Sequence, residues 1–131
     1  MRTEIPWAHL PNAVHIDRVI ASVKESPEKW SAARDAARDA AWDAACDAAH
    51  TAAWNAAWDA ARGAAYNAAW DAAQDAARDA ARDAVAALIA WDDCAYMLDM
   101  PEDALKVLRA VGSQPAVLLS VAAKVLRAEN I

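Results

Sequence analysis

From Ala32 to Asp83 the chain repeats a block of four, Ala-Ala-x-y, thirteen times without interruption. Column y is mostly Asp, while column x mixes Arg, Trp, Cys, His, Tyr and Gln. Two alanines in every block and no proline predict helix throughout. Four residues turn a helix by about 400°, so each column drifts about 40° per block. Over thirteen blocks every column would wrap round a straight helix, and no flat apolar face results. The paired alanines permit close helix approach, and a period above 3.6 favours right-handed coiling about a partner. The pattern predicts a helix gripped on several sides by other helices from sister subunits.

The start is marked by "SPEKW", with Ser26 as N-cap, Pro27 in the first helical position and Glu28 at the positive end of the dipole. Helical pattern continues to about Leu98, before "DMPEDA". A straight helix of roughly 70 residues would be about 100 Å long, whereas a compact domain of this size has a radius of gyration of about 14 Å. Either the helix breaks, or several elongated chains build one core together. Gly63 interrupts the repeat and is the expected place for a kink or a hairpin.

The flanks read as ordinary amphipathic helices. "NAVHIDRVIASVK" has Asn12 as its cap; "DMPEDALKVLRAVG" has Asp99 as cap and Gly112 as stop; "SQPAVLLSVAAKVLRA" follows with Ser113 and Pro115. Branched aliphatics gather here, so the conventional core is expected in the terminal helices with Val85, Leu88, Ile89, Met97 and Leu98. The expectation is one all-α domain over residues 1–131. It comprises an N-terminal helix to 26, the Ala-rich region 27–98 and a C-terminal helical pair 99–131, in a homo-oligomeric assembly.

Composition adjusts this picture. The chain is 58% hydrophobic, but much of that is Ala, which buries little area, so the core per residue is thin. A net charge of −6 excludes general nucleic-acid binding, which needs a basic face. The two cysteines, Cys46 and Cys94, make no disulfide framework and fit a reducing compartment. The apolar run "AVAALIAW" is far short of the ~20 residues of a membrane span, and no signal peptide is evident. A cytoplasmic protein with no membrane partner is expected.

The Ala-Ala-x-Asp run followed by "ALIAWDDCAYML" resembles a loose group of alanine-rich proteins of bacteria and their phages, some of them labelled immunity proteins. The resemblance covers residues 32–98, and "AWDDCAYML" is its more distinctive part. It implies a helical protein of the bacterial host cytosol with a role in conflict between phage and host, and it carries no catalytic motif.

The repeat changes its chemistry in the middle. Thr51, Asn55, Gly63 and Asn67 replace carboxylates in column y, where Asp59 alone remains; column x there holds His50, Trp54, Trp58, Arg62, Tyr66 and Trp70. Fewer negative charges, more stacking faces, a guanidinium and amide donors suit an anionic aromatic ligand. Gly63 would allow close backbone approach. Packing at a helix crossing would select the same residues, and the two readings are compatible. The candidate ligand-binding residues are His50, Thr51, Trp54, Asn55, Trp58, Arg62, Tyr66, Asn67 and Trp70. Arg34 and Arg38, with Arg78 and Arg82, flank the window and would meet at a phosphate-binding mouth if the helix folds back; pairing with neighbouring Asp is the simpler reading. Cys46 and His50 are spaced i,i+4, but two ligands make no metal site, and no HExxH, CxxC or Gly-rich phosphate loop supports catalysis or a cofactor.

The expected function is non-enzymatic: sequestration of a small anionic nucleotide-type immune signal by a homo-oligomeric helical protein. An acidic inhibitor of a host nuclease or defence effector, its Asp column imitating DNA, is the alternative. A structural self-assembling helix is the third.

Overall fold

The repeat does not run as one helix. A computed structural model describes residues 7–37, 40–77 and 79–129, with side chains at 7–37, 41–72 and 81–127. Seven α-helices pack together among these residues: α1 Ala13–Glu25, α2 Pro27–Ala37, α3 Ala40–Asp59, α4 Gly63–Ala77, α5 Asp79–Ala90, α6 Glu102–Ala110 and α7 Gln114–Glu129. A 3₁₀ turn, Ala95–Asp99, joins α5 to α6. The fold is all-α, and no described helix is long and apolar enough to cross a membrane. Within the Ala-rich region the described residues form α2 to α5, and the turn at 60–62 folds the repeat back so that one chain closes a core around its own alanines.

The break between α3 and α4 has a specific cause. Arg62 N–H donates to the Ala57 carbonyl at 2.7 Å and Ala61 N–H to Trp58 at 3.0 Å, the paired bonds of a Schellman stop. Its left-handed residue is Ala61, with φ of 60°. Gly63 does not supply that conformation. It opens α4, and a Cβ there would lie 2.6 Å from the Trp58 indole, so its role is to leave room for that ring. The stop after α6 has the same bonds, Ser113 to Leu108 and Gly112 to Arg109, with Gly112 at φ 90° as its sequence predicts. Holding an alanine in the left-handed region costs about 1–2 kcal/mol. Ala61→Gly relieves that strain, less the entropy of a more flexible unfolded chain. It is expected to raise stability by about 1 kcal/mol and the melting temperature by about 3–5 °C, measured by thermal unfolding.

The 40° drift is visible along α3. Its column-x residues Trp42, Cys46 and His50 are half-buried, and the later ones, Trp54 and Trp58, are exposed. The second alanine of each block takes over: Ala45 is exposed, and Ala49, Ala53 and Ala57 are fully buried. A residue one position earlier lies 100° back on the helix, which about two and a half blocks of drift restore. The buried stripe therefore passes from column x to the adjoining alanine. Restarting the helix at Gly63 resets the phase, and Ala65, Tyr66 and Ala69 face inward on α4.

Helices α5 and α7 form the centre. Residues 83–90 and 116–123 are buried without a gap, the mark of helices enclosed on all sides. α5 packs on α3, α4 and α7, while α1 covers α4 and α5, and α2 lies on α7. Val85, Leu88, Ile89, Met97 and Leu98 are buried with Ile16, Val19 and Leu118, as the branched residues imply.

Two expected caps act differently. Asn12 precedes α1 but makes no side-chain bond to it. Its carboxamide donates instead to the carbonyls of Leu88 at 3.0 Å and Trp91 at 2.9 Å. Asp99 ends the 3₁₀ turn, and Pro101 takes the N-cap position of α6. The Ser113 expectation holds, since its Oγ accepts from Ala116 N–H at 3.3 Å.

Candidate functional site

Because the chain reverses at residues 60–62, positions equally far from the turn on α3 and α4 face one another. His50, Thr51 and Trp54 of α3 meet Tyr66, Asn67 and Trp70 of α4, the same x, y, x positions of the repeat on each side. Together they line an open groove of about 390 Å³. That volume lies at the small end of the ~300–1,000 Å³ typical of small-molecule sites. Six of the nine window residues named from the sequence are thereby brought together.

The rings form a connected set. Trp70 stacks on Tyr66 with centroids 5.7 Å apart and meets the His50 ring edge-on at 5.1 Å. The Arg82 guanidinium lies 4.5 Å from the Trp70 ring centroid. These contacts hold Trp70 and Tyr66 in place. Trp54, 47% exposed, touches Trp58 at 5.5 Å and presents the accessible aromatic wall. Thr51 Oγ1 donates to the Asp47 carbonyl at 3.1 Å, which leaves its oxygen as an acceptor. Burial, and then the charge of Asp83, pushes the Tyr66 hydroxyl up to about 12, so it stays a donor at neutral pH.

His50 is fixed from behind. Its Nε2 meets Asp83 Oδ1 at 2.5 Å, and with a carboxylate acceptor that nitrogen carries the proton. Asp83 is enclosed because α5 is buried on all sides, which its place in a column of surface carboxylates does not reveal.

Three window residues stand outside the groove. Asn55 is exposed on α3, and Trp58 lies over Gly63 at the turn, so the space at that glycine holds an indole. Arg62 points to the end of α5. It donates to the Ile89 carbonyl at 3.2 Å and pairs with Asp92 through both amino groups, one of them at 3.0 Å. The Arg62 hydrogen bond holds the Asp92 carboxyl below its ordinary range. The stabilisation from this pair is present above the ordinary carboxylate value and is lost as pH falls through the depressed one. The expected phosphate-binding arginine is thus a cap for α5.

That cap has three sources. The last carbonyls of an α-helix lack intrahelical donors. Here Leu88 receives Asn12 and Ile89 receives Arg62, while Ala87 receives Trp91 N–H at 3.0 Å with the Cys94 thiol beside it at 3.5 Å. Burial pushes that thiol up to about 12, so it keeps its proton.

Arg34 and Arg82 do come together, lining one cavity of about 280 Å³. Arg38 and Arg78 lie outside the described residues. Asp43, Asp47 and Asp83 share the cavity, so among the described residues Arg34 and Arg82 sit among carboxylates. Cys46 lines it too, but burial and then Asp83 push its thiol up to about 12. With no thiolate, and with His50 committed to Asp83, a Cys–His nucleophile pair is not assembled. Among the described residues no group of three or more His, Cys, Asp or Glu could hold a metal. Among the described residues the exposed repeat carboxylates Asp35, Asp47, Asp59 and Asp71 are spread over three helices.

No protein-family model, curated protein or solved structure matches the chain.

Proposed function

We propose that the protein is a non-enzymatic binding protein that holds the planar, nucleobase-like part of a small molecule in the α3–α4 groove. The convergence of His50, Thr51, Trp54, Tyr66, Asn67 and Trp70 on one groove carries this reading. Trp54 supplies a stacking face; the Asn67 carboxamide and the Tyr66 hydroxyl supply hydrogen bonds to base edges. Among the described residues the groove lining contains no arginine or lysine. The site therefore reads the ring system, and a phosphate attached to it lies outward. The resemblance to alanine-rich phage and bacterial proteins supports sequestration of a nucleotide-type immune signal as the purpose, a role that needs no turnover.

Thermal unfolding with nucleosides, cyclic nucleotides and ADP-ribose derivatives tests it. A ligand at 100 times its dissociation constant adds about 2.7 kcal/mol of stability. Trp54→Ala is expected to weaken binding by about 1–3 kcal/mol, the value of one stacked base. Because Trp54 is exposed, the unliganded variant stays within about 0.5 kcal/mol of the parent. No shift with any of these ligands sinks the reading.

Trp54 and Trp58, each 47% exposed and in mutual contact, favour a second reading, self-association through this face. Light scattering over a concentration series distinguishes them: an oligomer that Trp58→Ala dissociates supports the second, and a monomer at all concentrations removes it.

A further inference from the structure

The cations that the α3–α4 groove lacks converge elsewhere. Helices α2, α6 and α7 enclose a cavity of about 390 Å³, with Arg109, Lys124, Arg127 and the carboxylate of Glu102 in its lining. Among the described residues, in a chain of net charge −6, this is a local excess of two positive charges. Its α2 wall is Ala33, Ala36 and Ala37, whose short side chains leave the space open, and Trp42 closes one side. A second hollow of about 340 Å³ adjoins it and shares Ala33, Ala36 and Lys124 in its lining. That hollow adds Lys29, Ala32 and Val125.

We infer that this cleft binds an organic phosphate, with the phosphate among Arg109, Lys124 and Arg127 and the apolar body along the alanines of α2. The two guanidiniums are held in place by the fold. Arg109 donates to Ser120 Oγ at 2.6 Å and to Glu102 at 3.3 Å, with its guanidinium 5.8 Å from the Trp42 ring centroid. Arg127 donates through Nη2 to the Met100 carbonyl at 2.6 Å. Five donors on each guanidinium leave several for a ligand. The Nε–H of Arg127 is buried and has no acceptor among the described residues, so the cleft is met by the terminal amino groups of that guanidinium. Lys124 is exposed, and no carboxylate pairs with it among the described residues. Preset arginine forks and a mobile lysine suit a tetrahedral dianion. The adjoining Ala-walled hollow favours an ester over the bare ion.

Calorimetry and thermal unfolding of the full chain with phenyl phosphate and with inorganic phosphate test the cleft. Saturable binding of phenyl phosphate is expected, about tenfold or more tighter than inorganic phosphate. Lys124→Glu, on an exposed helix face, is expected to weaken it by about tenfold or more. Ala36→Trp, which fills the hollow and keeps every charge, is expected to abolish the preference for the ester. Trp54→Ala leaves this binding unchanged, which separates the cleft from the α3–α4 groove. Absence of saturable binding overturns the inference. So does binding that Lys124→Glu leaves intact, or equal affinity for the two phosphates.

Discussion

Trp30→Ala is expected to lower stability by about 3–5 kcal/mol, the range for removing a fully buried tryptophan. Trp30 is 0% exposed and is the only buried residue of α2, whose other positions are alanines, charges and small polar groups. Its indole Nε1–H donates to Ser22 Oγ at 3.0 Å, tying α2 to α1. Alanine there leaves a cavity that neighbouring alanines are too short to fill. The loss also has a location: beyond Trp30, α2 offers the core only partly buried alanines such as Ala33 and Ala37, so it is expected to separate before the rest of the molecule unfolds. Urea unfolding measures the global change. Hydrogen exchange is expected to show protection lost first in Pro27–Ala37. A variant that loses less than about 1 kcal/mol, with α2 still protected, contradicts this account.

Asn12→Ala is expected to cost about 2–3 kcal/mol. The side chain is 4% exposed and bridges the start of α1 to the end of α5 by donating to two carbonyls. An N-cap of the ordinary kind would lose less, about 1 kcal/mol. Here two carbonyls near the core centre are left without that donor. Asn12→Asp discriminates between the two roles. Aspartate is a good N-cap, but its carboxylate cannot donate and faces carbonyl oxygens in a buried place. The structure therefore predicts that Asn12→Asp is at least as damaging as Asn12→Ala at neutral pH. Chemical unfolding of both variants decides it, since a capping role would leave the aspartate nearly neutral.

Local chemistry was readable wherever a residue's role is local. Pro27 begins α2, Gly112 ends α6, and Ser113 caps α7 because each acts on backbone within a few residues. The drift of the tetrad columns also follows from helix geometry alone, and it explains which tryptophans of α3 are exposed. The turn at 60–62 is half legible. Gly63 marks the neighbourhood, but the left-handed residue is an alanine, one of many identical ones. Six window residues meet because a hairpin reflects the repeat onto itself. That symmetry follows once the fold-back is known. The partners of Arg62, His50 and Asn12 are 27 to 79 positions away in sequence. No periodicity announces such contacts; they are set by how α5 is enclosed. The cleft of α2, α6 and α7 is illegible in the sequence for the same reason. Its cations are scattered over separate amphipathic helices, where each reads as an ordinary solvated charge.

The shifting stripe of α3 bears on how such a sequence can change over time. A stretch encoded by near-identical units gains and loses them by slippage during replication. Inserting one Ala-Ala-x-Asp unit before Ala49 would move everything after it along the helix by about 6 Å and turn it by about 40°. Ala57 would swing toward solvent, Ala52 and Ala56 toward the interior, and Trp54 further out. A unit added within α3 is thus a rearrangement of its contacts with α5 and α7. The Ala61 stop confines that error, since α4 begins its own phase at Gly63. Repeat number inside each helix is therefore held by packing, and variation in copy number is tolerated best where one helix hands over to the next.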